Sequence, residues 1–267
     1  NFNSLIAQFL RHVKLNELNL DDIKKKVFTI NQPINQNRAA LFIEIFERVY
    51  NLYESNLKKQ NAVDYEDMIT LSRKKIINEN YKYILVDEFQ DISKARARLL
   101  KQIKEENNSK LYCVGDDWQA IYGFIGGDIN IFTKNFSKYF GFFESQAIDV
   151  TFRYGENINK VTSTFIKKNP DQLGKKVESL VEDKGEIYIY DKINFEEVIS
   201  KYANTKSKIY ILGRHNIQNY KKFEQGNAIT KKRINNITNK FKNIEYKTIH
   251  SAKGLEADHI FIINLFV

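Results

Sequence analysis

The 267-residue sequence predicts an α/β protein with two parallel-sheet domains, the first preceded by a helical subdomain. Three observations carry this expectation. Apolar residues recur at helical spacing through most of residues 1–80. Short apolar runs then alternate with helical segments, which is the pattern of βαβ units. Two of those runs end in carboxylates, which places acids at the carboxyl edge of a parallel sheet, where ligands of such sheets gather.

Phe2 to Val13 is the first expected helix, and Asn35 to Asn61 the second. Ala40, Ile43, Phe46, Val49-Tyr50 and Tyr53–Leu57 form the apolar stripe of the longer one. A third runs from Asp64 to Asn78, with Asp64 standing three residues before Asp67 as an N-terminal cap. Tyr83–Val86 and Leu111–Val114 are then two strands, joined by a helix over Ser93–Glu106 that carries Leu99, Leu100 and Ile103 on one side. That is a βαβ unit with parallel strands.

After Gly141 a second α/β pattern begins. Strands are expected at Ile148–Phe152, Glu186–Tyr190, Lys208–Leu212, Glu245–Ile249 and His259–Ile263, with helices at Gly155–Lys168, Phe195–Ala203 and Gln218–Phe241. The division is therefore 1–63 for the helical subdomain, 64–141 for the first sheet domain and 142–267 for the second. No internal repeat or low-complexity linker interrupts it.

Composition narrows the class. A hydrophobic content of 42% with 13% aromatics excludes intrinsic disorder, and two prolines exclude a Pro-rich spacer. The longest apolar runs are about half a membrane span, so no transmembrane helix is expected. No secretory signal pattern is present at the start of the chain. One cysteine allows no internal disulfide, no Cys/His cluster has zinc spacing, and a reducing, intracellular setting is expected. Cys113 itself is expected to be a buried small apolar side chain.

The net charge of +9 is concentrated. Between Thr205 and Lys247 stand eleven basic residues against Glu224 and Glu245, and the rest of the chain is balanced. Such a strip suits a polyanion partner. Lysines on solvated helix faces, in a chain rich in Lys, Asn and Ile, explain it as well.

Asp87-Glu88 at the end of an apolar strand has the form of a Walker B element. One carboxylate there holds Mg²⁺ largely through water, and its neighbour can orient and deprotonate the water that attacks a phosphate. The context is specific: Val86-Asp87-Glu88-Phe89-Gln90-Asp91, followed by Val114-Gly115-Asp116-Asp117-Trp118-Gln119-Ala120-Ile121-Tyr122-Gly123-Phe124. Trp118, Tyr122 and Phe124 lie in a Gly-rich stretch after a strand, where a loop can expose them for base stacking or pack them between domains.

These two strings closely resemble motifs II and III of superfamily 1 DNA helicases of the UvrD/Rep type. Asp64-Tyr65-Glu66-Asp67-Met68-Ile69 resembles the acidic-aromatic segment that precedes motif II in that family, and Thr151-Phe152-Arg153-Tyr154 resembles motif IV. Thr248-Ile249-His250-Ser251-Ala252-Lys253-Gly254-Leu255-Glu256-Ala257-Asp258 resembles motif V. The Gly-Asp-Asp-Trp-Gln form of motif III, and an Arg153–Thr248 interval too short for a large inserted domain, are similar to the DNA helicase IV branch.

The resemblance implies two RecA-like parallel-sheet domains, the first incomplete and preceded by a helical subdomain, with ATP and Mg²⁺ between them, and single-stranded DNA or a duplex/single-strand junction as partner. It implies Asp87 as the Mg²⁺ ligand, Glu88 as general base, Gln119 as the sensor of γ-phosphate and water, and Arg153 as the cation on that phosphate. Phe152 would lie against adenine, Glu256 would approach the ribose and Gly254 would belong to the nucleotide site. Tyr122 and Phe124 would stack on bases, with Thr248 and His250 on the DNA backbone. The family setting is cytoplasmic, bacterial and nucleoid-associated, without a membrane, and the motor runs 3′→5′.

Two parts of the motif series are absent. No G-x-x-x-x-G-K-[S/T] loop occurs; the one Gly-Lys pair, Gly174-Lys175, lacks the upstream glycine and is followed by Lys176. No arginine-bearing motif VI follows motif V, and Ile125 stands where the family often has Arg. The middle of the series is intact, as in an internal piece of a helicase, so this chain is expected to hydrolyse ATP poorly by itself. The alternatives are a non-catalytic DNA-binding or regulatory module, and a Mg²⁺-dependent nuclease built on Asp87, Glu88 and Asp116. Arg214 and His215, after a strand, suit either DNA contact or solvent.

Overall fold

The structure is a computed structural model that describes residues 2–75, 79–170, 172–190, 194–203, 206–217 and 229–264. It is a mixed α/β chain with small parallel sheets, in two compact units, Asn1–Lys184 and Gly185–Val267.

The first unit opens with helices α1 (Phe2–Leu15), α2 (Leu20–Val27), α3 (Pro33–Lys59) and α4 (Tyr65–Ser72). Ile6, Leu10 and Val13 of α1 bury against Phe46 of α3, and Phe9 meets Phe46 edge-on at 4.7 Å. Pro33 starts α3, where its missing N–H costs nothing. The short α2 is an element that periodicity did not predict; Asn19 caps it, and its Asp21, Asp22 and Lys24–Lys26 hide the apolar signal. The Asp64 cap is as expected and is reciprocal: Asp64 Oδ1 accepts the Asp67 N–H at 2.7 Å, and Asp67 returns the contact to the Asp64 N–H. This helix ends at Ser72, short of the expected Asn78; residues 76–78 lie outside the described residues.

Strands β1 (Tyr83–Val86) and β2 (Lys110–Cys113) pair in parallel, with Val86 opposite Cys113, across helix α5 (Lys94–Glu106). The Ser93 hydroxyl caps α5 by accepting from the Arg96 N–H. One face of this sheet packs Val86, Leu111 and Cys113 on a core of Phe89, Ile92, Ala97, Ile131 and Phe140. Two of those residues come from α6 (Ile129–Thr133) and α7 (Phe136–Phe140). Cys113, expected to be buried, is only partly so and packs against this core, and burial pushes its thiol pKa up to about 12.

The same unit holds β3 (Val150–Thr151), α8 (Glu156–Ile166) and β4 (Glu178–Ser179), the two strands again parallel. Gly155 is required where β3 turns into α8, because an added Cβ would lie 1.9 Å from the Asp183 carbonyl oxygen. The compact units therefore part at Lys184–Gly185, whereas the division at 141 follows the motifs.

In the second unit β5 (Ile209–Gly213) is the central strand between β6 (Ile244–Thr248) and β7 (His259–Ile262), all parallel. β5 is buried along its whole length, as a strand covered on both faces must be. Helices α9 (Phe195–Ala203) and α10 (Lys231–Lys240) contribute Phe195, Ile199, Ile234 and Ile237 to its core. The expected strand at Glu186–Tyr190 does not form. This stretch pairs with no strand among the described residues and leaves Ile189 exposed, because alternation cannot hold a strand that has no neighbour to take its hydrogen bonds. Of the expected Gln218–Phe241 helix, residues 218–228 lie outside the described residues, and α10 starts after the Thr230 cap.

Candidate functional site

The parallel register of β1 and β2 sets Asp87-Glu88 beside the residues that follow Cys113. The ladder continues past both strands: the Val114 N–H donates to the Val86 carbonyl (2.8 Å) and the Phe89 N–H to the Val114 carbonyl (2.9 Å). Glu88 takes the left-handed conformation at φ 51°, a strained state for a non-glycine residue that turns the chain sharply at the sheet edge. Asp87 and Glu88 are both exposed, and Asp87 Oδ1 accepts the Glu88 N–H at 2.8 Å.

The buried Gln90 ties the two strand ends together. Its Nε2 donates to Glu88 Oε2 at 2.6 Å, and its Oε1 accepts the Asp116 N–H at 2.9 Å. Gly115 is the residue that lets it do so, since a Cβ there would lie 2.8 Å from Gln90 Oε1. The sequence string contained Gln90, but nothing in its spacing assigned it this bridging role.

Asp116 and Asp117 begin a 3₁₀ turn, Asp117–Gln119. Asp116 Oδ1 accepts the Trp118 N–H (3.1 Å), and Oδ2 accepts Gln119 Nε2 (2.8 Å). Asp117 is only 1% exposed; its carboxylate accepts the Leu173 N–H (2.7 Å) and Lys175 Nζ (2.8 Å). Lys175 also pairs with Asp116 and lies 4.7 Å from the centre of the Trp118 ring. Burial pulls the Asp116 pKa up, and the Lys175 ammonium with the Gln119 amide outweighs this and holds it below the usual carboxylate value. Lys175 is the member of this cluster that sequence reasoning missed; its one signal was that it belongs to the lone Gly-Lys pair.

Beyond this turn the Tyr122–Gly127 loop is braced by its own backbone, with the Tyr122 carbonyl accepting the N–H of Ile125 (3.1 Å) and Gly127 (3.2 Å). Gly126, at φ +106°, sits against Leu15 of α1, which leaves no room for a Cβ. Tyr122 and Phe124 stand 6.5 Å apart with their rings tilted 51°, and Phe124 keeps half its surface exposed.

Phe152 and Arg153 follow β3 on the separate β3–β4 sheet. Phe152 is 76% exposed, and the Arg153 N–H donates to Thr151 Oγ1 at 3.3 Å. The remaining expected site residues, Thr248, His250, Gly254 and Glu256, lie in the second unit. Thr248 ends β6 in a turn closed by Ser251, with Thr248 Oγ1 and Ser251 Oγ 2.9 Å apart. Gly254 takes φ +78°, which a side chain would resist, and His250 and Glu256 are exposed.

Two other charged clusters are paired internally. Glu54, Asp64 and Asp67 converge as a metal site would, but the Lys14 ammonium sits among them at 2.6–2.8 Å. In the basic strip, Arg233 forks onto Glu196, Lys247 pairs with Glu245 at 2.8 Å, and Lys208 and Lys247 flank the Tyr210 ring. Those contacts lie within the second unit, while Lys221 and Lys222 lie outside the described residues.

Residues 2–140 match the UvrD/REP helicase N-terminal domain. DNA helicase IV of Escherichia coli is 34% identical over 233 residues, which is 84% of this chain and 32% of that protein. The ATP-dependent DNA helicase Rep of Buchnera aphidicola subsp. Baizongia pistaciae is 28% identical over 63% of this chain and 26% of its own length. DNA helicase II of Haemophilus influenzae is 28% identical over 55% of the chain and 21% of its own length. The chain thus spans a third or less of the length of these three relatives. No helix among the described residues is long and apolar enough to cross a membrane.

Proposed function

Because the chain belongs to the UvrD/REP helicase family, we propose that its carboxyl-edge acids serve an ATP-dependent DNA helicase or translocase that tracks single-stranded DNA in the 3′→5′ direction. One observation carries this reading: the β1–β2 register and the Gln90 bridge put Asp87, Glu88 and the Gln119 turn on one sheet edge. Glu88 is the general base toward the attacking water, and Gln119 orients that water against the γ-phosphate. Arg153 supplies positive charge to the same phosphate, and Phe152, Gly254 and Glu256 hold the adenosine.

The donor set fits Mg²⁺. Asp87 is an exposed carboxylate at a strand end, and this ion keeps several waters and takes few protein oxygens. When bound, the ion supplies charge neutralisation at the phosphate oxygens. Asp116 is engaged by Lys175, which argues against a nuclease built on Asp87, Glu88 and Asp116.

The domain assignment belongs to the same proposal. Residues 1–63 are the helical accessory subdomain, 64–141 part of a first RecA-like domain, and 142–267 a second one, with cleft closure driven by ATP. Tyr122 and Phe124 stack on bases, and Thr248 and His250 touch the DNA backbone. The 267 residues hold no phosphate-cradling Gly-Lys loop, which favours, for this chain taken alone, the second reading of a DNA-binding module.

Turnover by the full-length protein decides between them. Glu88→Gln is expected to lower the DNA-stimulated kcat about 10²–10⁴-fold with oligo-dT binding retained. Robust DNA-stimulated turnover by the purified 267-residue chain, abolished by Glu88→Gln, would contradict the expectation that this chain lacks its phosphate cradle.

A further inference from the structure

We propose that Lys175 is a positioning residue for Gln119: it pins the Asp116–Asp117 pair, and Asp116 in turn holds the Gln119 amide at the sheet edge. The proposal rests on the reading of Gln119 given above.

Two acids of this turn share one ammonium. Asp117 is almost fully buried, and a buried carboxylate needs a charge partner as well as hydrogen bonds. The Leu173 N–H supplies a hydrogen bond and Lys175 supplies the charge. The same Nζ reaches Asp116 and faces the Trp118 ring at 4.7 Å, with Lys167 flanking the indole at 5.9 Å. Trp118 Nε1 is buried with no hydrogen-bond partner, so packing and these cations orient the indole, not its N–H.

Asp116 is the relay. One of its oxygens takes Lys175 and the Trp118 N–H, and the other takes the Gln119 amide at 2.8 Å. Its lowered pKa keeps it ionised, so the pin persists at neutral pH. Without Lys175 the Asp116 side chain can rotate, and the acceptor that fixes Gln119 rotates with it. Lys175 stands 58 positions after Asp117, on the segment between α8 and β4. Movement of that segment is thereby transmitted to Gln119.

The test uses Lys175→Met, Lys175→Arg, Gln119→Ala and the double variant Lys175→Met/Asp117→Asn, which removes the stranded buried charge and keeps an acceptor for Leu173. Lys175→Met and the double variant should each lower the DNA-stimulated kcat of the full-length protein about 10–100-fold, the scale of a misplaced catalytic group. The KM for ATP should stay within about twofold, and Lys175→Arg should restore most of the rate. Acrylamide quenching of Trp118, the sole tryptophan, should increase in both Met variants of the 267-residue chain. Wild-type kcat in Lys175→Met overturns the proposal. So does recovery in the double variant, because the loss would then come from the stranded Asp117 charge. Wild-type turnover in Gln119→Ala removes the reading of Gln119, and the proposal with it, irrespective of Lys175.

Discussion

Lys14→Met tests how the helical subdomain is held together. The Lys14 side chain is 6% exposed, and its ammonium meets Glu54 at 2.8 Å and both Asp64 and Asp67 at 2.6 Å. Tyr53 donates its hydroxyl to Asp64 at 3.0 Å, so one ammonium joins α1, α3 and the cap of α4. Burial pulls the Lys14 pKa down, and hydrogen bonds to Asp64, Asp67 and Glu54 outweigh it and leave it raised. Removing the cation strands three carboxylates within 4.8 Å of one another. Breaking a buried ion pair by deleting one partner costs about 3–5 kcal/mol. In a unit of this size that is a Tm drop of about 6–20 °C.

The pH dependence is specific. Burial raises the Asp64 pKa, and the Lys14 ammonium with the Asp67 N–H and Tyr53 hydroxyl outweighs this, for a net depression. A depressed carboxylate adds stability above its ordinary pKa of 3.8, which is lost as pH falls through the lowered folded value. In Lys14→Met the carboxylates lose that cation, and protonation relieves their repulsion. The gap between wild type and variant should therefore be full at pH 7.5 and shrink as pH falls toward 4. Urea unfolding followed by Trp118 fluorescence reports this unit, because the sole tryptophan lies within it. Coincident midpoints at pH 7.5, or a gap that widens in acid, would refute the reasoning.

Three further outcomes are expected. Phe124→Ala should weaken oligo-dT binding by about 1–3 kcal/mol in a fluorescence-anisotropy titration, the scale of one lost base stack, and binding should fall with salt. Gly115→Ala should destabilise the first unit by about 1–3 kcal/mol in urea unfolding, because its Cβ must displace the Gln90 side chain 2.8 Å away. Cys113 should resist a thiol reagent at pH 8 in the native state and react on unfolding, since burial pushes its pKa up to about 12.

The parts legible in the sequence are those governed by neighbours along the chain. Helical periodicity located α1, α3, α5, α8 and α9. The Asp64 cap is a three-residue pattern, and the acids at the end of β1 follow a four-residue apolar run. The family was legible for the same reason, because its motifs are contiguous strings.

Contacts across space were not legible. Alternation over Glu186–Tyr190 promised a strand, and among the described residues no neighbouring strand pairs with it. β4 is a two-residue strand that exists only because β3 lies beside it. The charge count over Thr205–Lys247 could not say which cations are paired, and the fold gives Arg233 to Glu196 and Lys247 to Glu245.

By itself, then, the sequence determined the main helices, the two strands of the βαβ unit, which carboxylates stand at a strand end, and the family. Only the tertiary structure decided that Gln90 bridges Glu88 to Asp116, that Lys14 fills the acidic trio, and that Lys175 pins the Gln119 turn. The physical reason is that an ion pair or a buried amide is satisfied by whatever the fold brings within about 3 Å. Chain spacing carries no record of a partner 58 residues away.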